Sequence, residues 1–453
     1  MKKVISILAG LILIVSLGAC STDSADEQNN SNENKENNEE TDNDEEKTDE
    51  DDKQKEEEKI KGKYEFERPD TVRGLYSTGH VAGGERFETL TDLIDESDLN
   101  AMVIDIKDDE GHITYEPDKD AVFADAGQPY ISNLDDVLKT LQEKEIYPIA
   151  RIVVFKDSVM AENDPDMSFL ENGNVWKNGS GDAFVNPFKK DVWDYNLAVA
   201  KEAAEMGFQE IQFDYVRFPE GFENRADTLD YDKGDYADIE DDVKGRVDSI
   251  NDFVGYAKDE LADYDVDVSV DVFGYTAAVE NAPGIGQDLV QIGEHIDVLS
   301  SMIYPSHWGP GSLDIDKPDL EPYETVFRYV EKEKEKLFRM DDPPLSRPWI
   351  QDFTASYLGA GNYKDYGKNE VEAQIKALNE SGIDEFLLWN ASNEYTENVD
   401  YTPPLDENVL EDMKKHDDDL RQKIEEENTD KKDDNNEEEN QGEKNKESDK
   451  DQE

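Results

Sequence analysis

The chain has 453 residues, 114 of them acidic and 47 basic, for a net charge of −67 at neutral pH. So negative a surface repels nucleic acid and anionic lipid, and neither is expected as a charge-recognised partner. The single cysteine excludes an internal disulfide and a thiolate metal cluster.

Residues 1–20 read MKKVISILAG LILIVSLGAC: two lysines, a short apolar run and Leu17-Gly18-Ala19-Cys20. This pattern predicts a signal peptide with a lipobox, because the apolar run is too short and wrongly flanked to span a bilayer. Cys20 is then expected to carry lipid, anchoring the protein on the extracellular face of the cytoplasmic membrane. Residues 21–62 hold 18 acidic and 6 basic side chains and almost nothing apolar, so they cannot offset their ordering entropy and are expected to form a disordered tether. A second acidic, low-complexity tail spans 406–453, with 19 acids against 9 bases from 411 onward. No fold is assigned to it, although MKKHDDDLRQKIEEE has local helical character. Once both tails and the two leading lysines are set aside, about −47 remains, so the folded part is itself strongly acidic.

Residues 63–405 are long for one ordinary domain and normal for an α/β barrel. Eight β-branched and aromatic runs stand in sequence at 73–77, 101–106, 147–153, 210–216, 266–272, 298–303, 349–353 and 385–389. Amphipathic helical stretches separate them, as in Leu134, Val137, Leu138 and Leu141, or Ile250, Phe253, Val254, Ala257 and Leu261. Gly207 and Gly382 sit where left-handed helix caps are expected. Eight strand and helix units with nothing left over predict a single (β/α)8 TIM-type barrel flanked by the two acidic tails. No sustained heptad is present, so a monomer is expected.

The active site of such a barrel forms where the strands end. Carboxylates recur there, in AMVIDIKDDEG, IQFDYVRFPEG, VSVDVFGY and WIQDF. Alternation places Asp214 with Gln212, Asp271 with Ser269, and Asp352 with Ile350, and these faces are expected to point inward. An inward carboxylate is costly unless paired or used, so each could simply be the structural partner of Arg217, Arg151 or Lys107. Several converging on one rim favour chemistry. Tyr215, Tyr304, His307, Trp308, Trp389 and Trp176 add aromatic planes for the apolar faces of sugars, and Asp105, Lys107, Arg151, Gln212, Arg217, Gln351 and Asn390 add polar contacts. Tyr275 and Phe218 could serve the rim or merely pack. No HExxH, P-loop, GxSxG or strand-following GxGxxG is found, so metal, nucleotide and serine-hydrolase chemistry and any cofactor are not expected.

Taken in order, RGLY, VIDIKDDEG, QFDYVRFP, DVFGY, MIYPSHW and QDF resemble the glycosyl hydrolase domain of bacterial surface proteins, a family long filed as a domain of unknown function. The resemblance implies a barrel distantly similar to the α-amylase clan, acting on a polysaccharide or cell-wall glycan. It also implies Asp214 as nucleophile, Asp271 as acid/base and Asp352 as transition-state stabiliser. Two positions depart from that clan: Gln212 stands where it has Arg, and Asp271 where it has Glu. Arg217 is expected to supply the missing positive charge. A glycan-binding lipoprotein without turnover and a structural wall scaffold remain alternatives.

Overall fold

The computed structural model describes residues 59–448; the predicted signal peptide, Cys20 and most of the N-terminal tether lie outside them. Eight parallel strands form the centre: β1 (Arg73–Ser77), β2 (Ala101–Lys107), β3 (Tyr147–Val153), β4 (Glu210–Asp214), β5 (Asp267–Phe273), β6 (Val298–Met302), β7 (Trp349–Gln351) and β8 (Phe386–Trp389). Between them lie α1 (Arg86–Asp95), α2 (Leu134–Glu143), α3 (Lys190–Met206), α4 (Asp242–Leu261), α5 (Leu289–Gly293), α6 (Pro322–Leu337) and α7 (Lys368–Glu380). The predicted apolar stripe of α2 is the face it buries, through Leu134, Val137, Leu138 and Leu141. α3 stops at Gly207, whose φ of 117° lets its N–H reach back to the carbonyls of Ala203 and Ala204.

Each strand pairs with the next, and the cylinder closes where β8 meets β1 at Arg73↔Phe386. The seam between β6 and β7 is the thinnest. Only Trp349↔Met302 pairs there directly, and a two-residue stretch, Leu345–Ser346, carries the ladder below it. Pro348 interrupts that strand because it has no N–H to give. The chain is thus a (β/α)8 TIM barrel.

Two apolar layers follow from strand alternation. Tyr76, Val103, Ile149, Trp349 and Leu387 fill the cylinder, whereas Leu75, Ile104, Phe213, Val270 and Ile350 pack outward against the helices. At the N-terminal floor Arg347 is wholly buried between Glu210 and Glu385, each 2.6 Å away. This layering corrects one expected face. Trp349, not Ile350, points into the barrel, so Asp352 shares its parity with an outward residue.

A bulge corrects another. In the β2–β3 ladder Asp105 faces Arg151, but Lys107 rather than Ile106 faces Ile152. The extra residue turns Lys107 out of the barrel, where Asp157 and the carbonyl of Val153 hold its ammonium at 2.7 and 2.9 Å.

The C-terminal stretch also departs from the expectation of a segment without a fold, since residues from Glu407 onward form a helix, α8 (Glu407–Ser448). Its first turns dock on α6. Asp417 accepts Lys334 at 2.8 Å, Arg421 lies 3.7 Å from the Phe338 ring centre, and Ile424 is buried. A few apolar residues and pairing to neighbouring helices suffice where composition alone suggests none.

Candidate active site

Four inward residues close consecutive strands: Asp105 on β2, Arg151 on β3, Asp214 on β4 and Asp271 on β5. Register sets them side by side, with Asp105↔Arg151, Val153↔Asp214 and Gln212↔Ser269 as partners. Asp214 and Asp271 therefore occupy equivalent levels of adjacent strands, whose backbones run about 4.8 Å apart.

Arg151 organises the group from a position only 1% exposed. Its Nε and Nη2 both donate to Asp214 Oδ2, at 3.0 and 2.6 Å. Nη1 donates to Asp105 Oδ1 at 2.6 Å, and Nη2 also reaches Asp109 Oδ1 at 2.8 Å. Its guanidinium lies 5.6 and 5.7 Å from the ring centres of Tyr76 and Trp389, which stack on each other. Such a planar fork, with five donors in fixed directions, holds the three carboxylates in one set geometry.

The carboxyl groups are tuned differently. Burial pushes Asp271 well above the ordinary aspartate range and the neighbouring charge of Asp214 pushes it further, against the hydrogen bond from Trp349 Nε1 at 2.8 Å. Burial raises Asp105 to about 6 despite Arg151 and the Tyr76 hydroxyl. Burial would also raise Asp109, but Arg151 and Lys156 together outweigh it and hold that group at about 2. Asp214 Oδ1 accepts the N–H of Tyr215 at 2.5 Å, a contact made possible by a left-handed backbone at Tyr215 with φ 52°. A tyrosine in that region is strained, and such strain collects at functional sites.

These side chains open onto a cavity of about 230 Å³ at the C-terminal mouth. Of the residues singled out from the sequence, Arg151, Asp214, Tyr215, Arg217, Asp271, Tyr304, His307 and Trp389 line it. It adjoins a groove of about 480 Å³, with which it shares Glu220, Phe273, Met302 and His307, and which Trp308 and Tyr275 border. Gly274 lets that wall close up, because a Cβ there would come within 2.6 Å of the Met302 carbonyl and 3.2 Å of the Trp308 ring.

The remaining candidates lie elsewhere. Asp105 sits beneath the cavity and acts through Arg151. Asp352 is bonded to the Thr396 hydroxyl and N–H at 2.6 and 2.9 Å and does not line the cavity. Asn390 ties the Asp352 and Glu394 carbonyls, and Gln351 ties Ser306 to Asp319; both shape loops. Gln212 is buried within the barrel against Ser300, Lys107 pairs with Asp157 outside it, and Trp176 packs on the outer layer. Arg217 does not approach Asp214 as a counter-charge. It bonds the Phe218 carbonyl and Glu220 and lies 4.7 Å from the Tyr215 ring centre, and Arg151 on the neighbouring strand supplies the guanidinium instead. Phe218 is wholly buried and packs, whereas Tyr275 is exposed on the groove.

Sequence reading missed Asp109, Tyr76, Glu220 and Trp349. Asp109 had a signal in KDDEG, two acids directly after the second strand, but the bulge at Ile106 hid which one faces the mouth.

A family model described as "Putative glycosyl hydrolase domain" matches residues 74–395. Among solved structures, a hypothetical protein from Ruminiclostridium thermocellum is 36% identical over 44% of this chain and 97% of its own, with a TM-score of 0.38. The PgaB (BpsB) glycoside hydrolase domain from Bordetella bronchiseptica is 14% identical over 71% of this chain and 94% of its own, with a TM-score of 0.50, and shares the fold. A chitinase from Chromobacterium violaceum is 14% identical over 73% and 96%, with a TM-score of 0.41. None of the curated proteins compared matches the chain. Because the family match runs from the first barrel strand to the loop after the last, the chain belongs to the family described as "Putative glycosyl hydrolase domain".

Proposed function

We propose that this protein is a glycoside hydrolase that cleaves a polysaccharide or cell-wall glycan with Asp271 as the acid and Asp214 as the nucleophile. The observation that carries the reading is one cavity holding two neighbouring aspartates in opposite circumstances. Asp271 is desolvated and favours its protonated form, while Asp214 is ion-paired with Arg151. Asp271 gives its proton to the glycosidic oxygen as that bond breaks, and an Asp214 oxygen bonds the anomeric carbon. Water then displaces Asp214, returning a proton to Asp271. Placement on adjacent strands supports this double displacement with retention, since an inverting pair needs room for a water between its carboxyls. Trp389, Trp308 and Tyr275 offer faces for successive sugar rings.

The enzyme is proposed to work as a monomer held by lipid on Cys20 at the extracellular face of the cytoplasmic membrane, a reading supported by the lipobox-like sequence of residues 17–20. Replacement of Cys20 by Ser should then release it from the detergent phase on phase separation.

The test of activity is incubation with a panel of wall and capsule polysaccharides at low and high salt, following new reducing ends. Asp214→Asn and Asp271→Asn should each abolish them. Unchanged turnover in either variant would overturn the assignment, and glycan retention without any reducing ends in the wild type would favour a binding protein.

A further inference from the structure

Asp109 is the one aspartate of the Arg151 cluster that is not spoken for. The side chains of Asp105 and Asp214 are 5% and 8% exposed and Asp271 is buried, whereas the Asp109 side chain is 43% exposed and borders the cavity. Each of its oxygens takes one cationic donor: Arg151 Nη2 on Oδ1 at 2.8 Å and Lys156 Nζ on Oδ2 at 3.2 Å. A carboxylate has about four acceptor directions, so about two remain. The two cations also hold its carboxyl at about 2, so at neutral pH it is a poor proton donor and a strong, fixed acceptor.

Its distance from Asp214 is bounded by a shared atom. Arg151 Nη2 lies 2.8 Å from Asp109 Oδ1 and 2.6 Å from Asp214 Oδ2, so those oxygens are at most 5.4 Å apart. A sugar whose anomeric carbon meets Asp214 carries its 2-hydroxyl on the adjacent ring carbon, within reach of Asp109. Hydrogen bonds to this hydroxyl strengthen as the ring takes on positive charge.

We propose that Asp109 is a specificity-determining residue that accepts the 2-hydroxyl of the sugar being cleaved, so that the substrates are glycosides with a free hydroxyl next to the anomeric carbon. The inference rests on the glycosidase reading and narrows its substrate class. The Lys156 ammonium, 4.9 Å from the Tyr215 ring centre, fixes the carboxylate from the far side.

The test is binding of named iminosugars to the full chain, read from tryptophan fluorescence, since Trp349 and Trp389 line the cavity. 1-Deoxynojirimycin and 1-deoxygalactonojirimycin are compared with their 2-deoxy counterparts in wild type, Asp109→Asn and Asp109→Ala. The wild type should bind the better hydroxylated probe about 10- to 100-fold more tightly than its 2-deoxy form, the range for a hydrogen bond to a charged group. In Asp109→Ala the preference should fall below about threefold, and Asp109→Asn carries the test if the alanine variant does not fold. A wild-type preference under threefold, or one kept in both variants, overturns the role of Asp109 while polysaccharide turnover still stands. No binding of any probe together with no turnover overturns both readings.

Discussion

Replacing Arg151 with methionine is the sharpest perturbation of this site. The guanidinium makes hydrogen bonds to three carboxylates from a position 1% exposed, and methionine fills similar volume without charge. Asp105 and Asp214 would then be buried with no cation, because Lys156 reaches only Asp109 and Asp182. Removing one partner of a buried ion pair costs about 3–5 kcal/mol. A second route gives a similar figure. Neutralising one such aspartate at pH 7 means protonating it about three units above its ordinary pKa, or about 4 kcal/mol. For a barrel of roughly 340 residues this lowers Tm by about 4–7 °C. The penalty should shrink as pH falls toward 4.5, because the orphaned groups then take up protons at little cost. Guanidinium unfolding of wild type and variant at pH 7.5 and 4.5 measures both effects. A variant within 1 kcal/mol of wild type at pH 7.5, or a deficit that stays constant with pH, would refute the reasoning.

Three other outcomes follow from the same geometry. In the proposed mechanism Asp271 acts from its protonated form, and burial plus the Asp214 charge raise its pKa, so kcat/KM should hold through acid pH and fall on the alkaline side as that proton is lost; a rate that rises with pH would contradict it. Asp105, raised to about 6 in the folded protein, favours folding fully below pH 4 and loses that contribution, about 3 kcal/mol, as pH rises through 6, so wild type minus Asp105→Asn should show this slope in denaturation at pH 4 and pH 7. Asp352→Asn should keep kcat within about tenfold of wild type, because Asp352 serves Thr396 outside the cavity, whereas Lys107→Met should cost about 3–5 kcal/mol of stability by stranding Asp157.

Strand and helix order was legible because each element announces itself locally. The run at 147–153 is apolar and β-branched between helical stretches, and α2 repeats leucine and valine at three and four spacing. The strand-end aspartates were legible for a like reason, since a barrel puts its chemistry where strands stop. Parity was not. One bulge at Ile106 turned Lys107 from the mouth to the helical layer, whereas the seventh strand keeps one register against the sixth on both sides of Pro348, and Asp352 falls outside because Arg347 and Trp349 set the inward phase there. A one-residue shift flips a side chain to the opposite face, and nothing in a period-two pattern marks where such a shift falls.

By itself, then, the sequence determined an acidic (β/α)8 chain with aspartates at the ends of neighbouring strands, because apolar periodicity is a local property and burial enforces it. Only the tertiary structure decided which charges meet. Arg151 rather than Arg217 serves Asp214, Asp109 joins the cavity, and α8 docks on α6. Those pairings join residues up to 83 positions apart, and their energies depend on distances of a few ångströms and on exclusion of water, neither of which is written in the order of residues.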